Sequence, residues 1–140
     1  MTENQKKETT NSDSSLDTIL IIDDSNALRR VLAKYLSNKF KCNILEATNG
    51  KEGIEVVEKE NGNINLILCD LMMPIMDGLT CIKSIKSDEN FKSIPIICLT
   101  AKSDKQTVTT CVQLGAIDFI VKPYDLASVS EKISKFINLK

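Results

Sequence analysis

The feature that most constrains this chain is a fivefold alternation. Short apolar runs take turns with stretches whose apolar residues recur every three or four positions. The runs are "TILII" (Thr18 to Ile22), "CNILEA" (Cys42 to Ala47), "NLILC" (Asn65 to Cys69), "PIICLT" (Pro95 to Thr100) and "IDFIV" (Ile117 to Val121). Four of the five are nearly continuous in apolar residues, as parallel strands covered on both faces are. The stretches between them read as helices. Leu28, Val31, Leu32, Tyr35 and Leu36 follow a Ser25 cap. Ile54, Val57 and Glu58 follow Gly50, and Leu79, Ile82 and Ile85 follow Asp77-Gly78. Val108, Cys111, Val112 and Leu114 are stopped by Gly115. Leu126, Val129, Ile133, Phe136 and Ile137 follow an Asp125 cap. The apolar members of these stripes are expected in the core. Strict alternation of this kind implies an α/β fold, an open parallel sheet with helices on both faces.

The chain has 140 residues, the size of one domain. In "MTENQKKETTNSDSS" Met1 is the only apolar residue, so residues 1–15 are expected to form a disordered tail before a domain at 16–140. The net charge is −1, and the tail's Glu3, Glu8 and Asp13 against Lys6 and Lys7 account for it. A balanced domain carries no electrostatic footprint for nucleic acid or an anionic membrane. The five cysteines form no C-x-x-C pair, and there is no histidine to complete a zinc site. They are expected to be small buried hydrophobes in a reducing compartment. No apolar run reaches membrane-spanning length and the N-terminus is polar, so a cytoplasmic protein is expected.

In an open parallel sheet, ligands bind beyond the carboxyl ends of the strands. Here those ends carry Asp23-Asp24, Asp70, Thr100-Ala101 and Lys122-Pro123. Each alone reads as a turn or cap residue; together they put every polar group on the edge where a ligand belongs. Asp70, at the end of an apolar run, is open to reading as cap, metal ligand or nucleophile. Like charges about 4 Å apart cost roughly 4 kcal/mol per pair at an effective dielectric near 20. Lys122 offsets one charge, and a divalent cation would offset more. All-oxygen ligands favour Mg2+ or Ca2+, and no EF-hand loop argues for Ca2+. A carboxylate, a hard cation, a hydroxyl and a lysine are the parts for handling a phosphoryl group. No Walker or Gly-rich nucleotide loop is present.

The "IIDDS" turn, "LILCDLMMPIMDG", "LTAKSD" and "GAIDFIVKPYD" resemble the receiver domain of two-component response regulators, the CheY-like family, from Leu16 to Leu139. The resemblance, not the residues, implies a flavodoxin-like (βα)5 sheet of order 2-1-3-4-5, for which the family's namesake is the standard example. It implies that Asp70 is phosphorylated by a histidine kinase or histidine phosphotransfer protein. Asp23 and Asp24 would hold Mg2+, Asp24 directly and Asp23 through water, with the Met72 backbone carbonyl as a further ligand. Lys122 would pair with the phosphoryl oxygens. Thr100 would swing in to hydrogen-bond them, and the Ala101 amide would contact them. Phe119 matches the aromatic switch position, without a tyrosine's hydroxyl. Pro123 matches a proline after a cis peptide bond. Met72 and Lys102 match positions that tune dephosphorylation, and neither side chain readily orients a water.

The resemblance also implies a stand-alone signalling protein with no output domain, catalysing only its own phosphorylation and dephosphorylation. Its output would be a changed surface of the fourth helix, fifth strand and fifth helix. That surface would control a downstream protein effector, pass phosphate on as a relay or sink, or dimerise on phosphorylation. The rival is a small Mg2+-dependent phosphotransfer or phosphatase enzyme on a similar fold. A haloacid-dehalogenase site would need Asp-x-Asp after the first strand, and a flavin carrier a Ser/Thr/Gly-rich loop there. "DDSN" gives neither.

Overall fold

The computed structural model describes residues 16–101 and 105–140. Five strands and five helices alternate: β1 (Asp17–Ile22), α1 (Asn26–Lys39), β2 (Cys42–Ala47), α2 (Gly50–Lys59) and β3 (Leu66–Asp70), then α3 (Gly78–Lys86), β4 (Ile96–Thr100), α4 (Lys105–Gln113), β5 (Asp118–Val121) and α5 (Leu126–Ile133). The strands form one parallel sheet in the order β2-β1-β3-β4-β5. The alternation and the strand order both agree with expectation.

Side-chain alternation across the sheet builds two cores. Leu20, Ile22, Ile67, Cys69, Ile96 and Cys98 face α2, α3 and α4, where they meet Val57, Cys81, Ile82, Ile85 and Cys111. Ile19, Ile21, Leu66, Leu68, Ile97 and Leu99 face α1 and α5, against Leu32, Leu36, Val129 and Ile133. Both faces of β3 and β4 are therefore buried along their whole length, which is why those runs are continuously apolar. β2 lies at the sheet edge, half-exposed except at Ala47, and it is the run that mixes polar residues in.

Ser25, Asn49, Asp77 and Asp125 cap α1, α2, α3 and α5, each accepting from a backbone N–H in the first turn. The expectation that every stripe residue is core needs correction. Leu28, Val31, Val112 and Phe136 are exposed. In α1 the seam facing the sheet runs Arg29, Leu32, Ala33 and Leu36, so Leu28 and Val31 sit on its flank. The last stripe also outruns its helix. After Ile133 the chain tightens, Phe136 and Ile137 N–H both donating to the Ile133 carbonyl, which keeps Ile137 buried and turns Phe136 out. Among the described residues no helix is long and apolar enough to cross a membrane. The expected tail and Lys102 lie outside the described residues.

Candidate functional site

Register places the site. Ile22 pairs with Cys69, Asp70 with Leu99, and Thr100 with Val121, so the residues that end β1, β3, β4 and β5 arrive at one edge of the sheet. There Asp23, Asp24 and Asp70 each offer a carboxylate oxygen within 4.8 Å of the others. Lys122 Nζ reaches between two of them, 3.1 Å from Asp23 Oδ2 and 3.2 Å from Asp70 Oδ2. Asp23 and Asp70 are buried and Asp24 is exposed. The free oxygen of each buried aspartate takes a backbone donor: Ser25 N–H on Asp23 Oδ1 and Met72 N–H on Asp70 Oδ1. The Asp24 carboxylate has no partner among the described residues.

Electrostatics follows from this crowding. Burial pushes the Asp70 carboxyl above the usual range; Lys122 opposes that and Asp23 reinforces it. Burial alone would lower the Lys122 ammonium, but Asp70 and Asp23 outweigh it and hold its pKa above the ordinary lysine value. Tyr124, half-buried beside them, has its hydroxyl raised by burial and by Asp23. Lys122 is thus a fixed cation between two carboxylates that repel each other. With a third carboxylate uncommitted and every donor an oxygen, the pocket suits a hard divalent cation.

The neighbouring residues fill out the edge. Thr100 is buried at the end of β4, its carbonyl accepting from Lys122 N–H at 2.7 Å, and Ala101 is exposed beside it. The Lys122–Pro123 peptide is cis. Phe119 is half-buried against the α2/α3/α4 core. The Lys132 ammonium lies 5.6 Å from its ring centroid and also pairs with Asp118 at 2.9 Å. In the loop after Asp70, Met73 and Met76 pack on that same core, while Met72 and Ile75 are 72% and 79% exposed. Ile75 has φ 67°, and Met76 N–H donates to the Pro74 carbonyl across it, a γ-turn. Gly78 N–H donates to the Leu71 carbonyl and closes the loop.

Sequence reasoning missed Arg29. It is 7% exposed and binds the Asp23 carbonyl, Asn26 and Glu46, directly behind the acidic pair. The signal was available in its position: it stands on the seam of α1 with Leu32, Ala33 and Leu36.

The family model of the response regulator receiver domain matches residues 19–134. The chain belongs to that family. Among curated receiver proteins, chemotaxis protein CheY1 of Helicobacter pylori is 36% identical over 115 residues, covering 82% of this chain and 92% of that protein. Chemotaxis protein CheY-3 of Vibrio cholerae is 32% identical over 117 residues, covering 84% and 88%. Among solved receivers, CheY4 of Vibrio cholerae superposes with a TM-score of 0.80 at 22% identity, covering 87% of this chain and 99% of that one, a likeness of fold. CheY in a CheX-CheY-BeF3-Mg2+ complex from Borrelia burgdorferi gives a TM-score of 0.75 at 31% identity, covering 85% and 87%. The Asp23, Asp24 and Asp70 cluster fits the phosphorylation and Mg2+ site of a receiver.

Proposed function

We propose that this receiver accepts a phosphoryl group on Asp70 from a phosphorylated histidine of a kinase or phosphotransfer protein. The observation that carries it is the sharing of Lys122 between Asp70 and Asp23 inside a cluster of three carboxylates. An Asp70 carboxylate oxygen attacks phosphorus, the P–N bond to the donor imidazole breaks, and the leaving nitrogen keeps the bonding pair and is protonated. Lys122, held protonated by its two carboxylates, pairs with the phosphoryl oxygens. Asp23, Asp24, Asp70 and the Met72 carbonyl would hold Mg2+, which supplies charge neutralisation for the transferring oxygens. Thr100 and the Ala101 amide, at the end of β4, would donate to the phosphoryl group.

The consequence is a switch. A phosphorylated Asp70 adds negative charge and acceptor oxygens beside Thr100 and Lys122. Thr100 moves toward them, the Phe119 ring follows inward, and the α4–β5–α5 surface changes. The chain thus acts as a signalling protein rather than a turnover enzyme, and its output is a protein contact. The CheX-CheY complex of the Borrelia relative, which holds BeF3 and Mg2+, supports a protein partner. Met72, exposed and without an amide or carboxylate to orient water, favours a long-lived phosphoryl group.

Intact mass after incubation with Mg2+ and a small acyl phosphate tests the reading. One phosphoryl increment, absent from Asp70→Asn, is expected. A folded wild-type chain that gains no mass overturns it.

A further inference from the structure

Three hydrogen bonds converge on Arg29 at 2.8 Å each. Nη1 donates to the backbone carbonyl of Asp23, Nε to Glu46 Oε1, and Nη2 to Asn26 Oδ1. One guanidinium thereby ties the residue that ends β1, a side chain of β2 and the first residue of α1. Every polar atom of Asp23 is engaged by the protein. Its N–H donates to the Ala47 carbonyl and its carbonyl accepts from Arg29. Oδ1 accepts from Ser25 N–H, and Oδ2 from Lys122. Among these, Arg29 is the one side chain that grips the main chain of the turn. The next residue, Asp24, is exposed and its carboxylate has no partner among the described residues, so the backbone that leads into it sets its direction.

We propose that Arg29 is a positioning residue for the cation-binding turn. By holding the Asp23 carbonyl, the guanidinium aims the Asp23 and Asp24 carboxylates into the pocket they share with Asp70. This role rests on the reading of that pocket as a divalent-cation site. The chemistry calls for arginine. A planar fork satisfies three acceptors in three directions at once, which a lysine ammonium on a flexible stem does not. Glu46 balances the charge, so Arg29 shapes the turn without setting an uncompensated cation behind it. Arg30 Nε lies 3.7 Å from the other Glu46 oxygen, so Glu46 keeps a cationic neighbour when Arg29 is replaced.

The test is Mg2+ titration by calorimetry on the full chain, well below each variant's thermal midpoint. Arg29→Lys keeps the charge and removes the fork. It is expected to weaken Mg2+ binding about tenfold, the usual scale for groups that orient a metal ligand. Leu36→Ala, on the same buried face of α1, is expected to lower the thermal midpoint and leave the Mg2+ dissociation constant unchanged. Arg29→Lys that folds and binds Mg2+ as tightly as wild type overturns the proposal. Should Arg29→Lys not fold, Asn26→Ala removes one arm from an exposed residue. A weakened dissociation constant there supports the role, and an unchanged one overturns it. A wild-type chain that binds no Mg2+ overturns the cation-site reading together with this one.

Discussion

The α-carbon of Gly78 lies against the backbone of Asp70. A Cβ there would collide with the Asp70 carbonyl oxygen and stand 2.7 Å from Leu71 Cα, both main-chain atoms that no rotamer change can move aside. The first residue of α3 thus fixes how closely the loop folds back beneath the acidic pocket. Gly78→Ala must push the Asp70 end of β3 or the helix start out of place. The expected cost is about 2–3 kcal/mol, at the upper end for overpacking, read from urea unfolding. Mg2+ affinity should fall with it, since the displaced strand carries Asp70.

Lys122 is the shared partner of two buried carboxylates. Lys122→Met leaves them facing each other, and breaking a buried pair from one side typically costs roughly 3 kcal/mol. The variant should unfold at lower temperature than wild type in chelator. Millimolar Mg2+ should raise its midpoint by more than it raises that of wild type, because the cation replaces the missing charge. Equal shifts in the two proteins would count against this account.

Asp70 gives a pH-dependent signature. Its carboxyl is held above the usual range, by burial first and by Asp23, against the pull of Lys122. The folded state therefore holds that proton more tightly than the unfolded chain does. This contribution to stability is fully present below the unfolded pKa and is lost as pH rises through the folded one. Asp70→Asn escapes the loss. In chelator its thermal midpoint should exceed wild type at neutral pH, and the gap should close as pH falls toward the ordinary aspartate range. A gap that widens on acidification contradicts the sign.

The cysteines should be slow to react. Cys69, Cys81, Cys98 and Cys111 are buried, and burial pushes the half-buried Cys42 thiol up to about 11. Since thiolate is the reactive form, a thiol reagent at neutral pH should modify the native protein slowly and release five equivalents on denaturation. Fast labelling of a single native thiol would mark an opening at that position.

Much of this was legible in the sequence, for definable reasons. Burial on both faces leaves a strand no polar positions, so "NLILC" and "PIICLT" announce themselves. A parallel sheet carries their ends to one edge, so Asp23, Asp70, Thr100 and Lys122 could be grouped without any distance. The strand order came from family likeness, because alternation alone does not say which strands are neighbours. Helical period failed where a stripe is wider than the seam it packs on. Leu28 and Val31 looked like core and are exposed, while Arg29 between them, which the apolar stripe passes over, is buried. The partners of Arg29 explain why. Glu46 is 17 residues away on β2, and the Asp23 carbonyl is backbone, which a one-letter code does not display.

The bond from Lys122 to Asp23 spans 99 residues, and that from Lys122 to Asp70 spans 52. Contacts of such sequence separation carry a loop-closure cost that slows the route to the native state. The acidic pocket therefore needs the chain from β1 through β5 to be in place. A nascent or truncated chain that stops short of β5 keeps Asp23 and Asp70 without their shared lysine. In such a chain the two carboxylates face each other uncompensated, so the charge balance of the pocket arrives only with the whole domain.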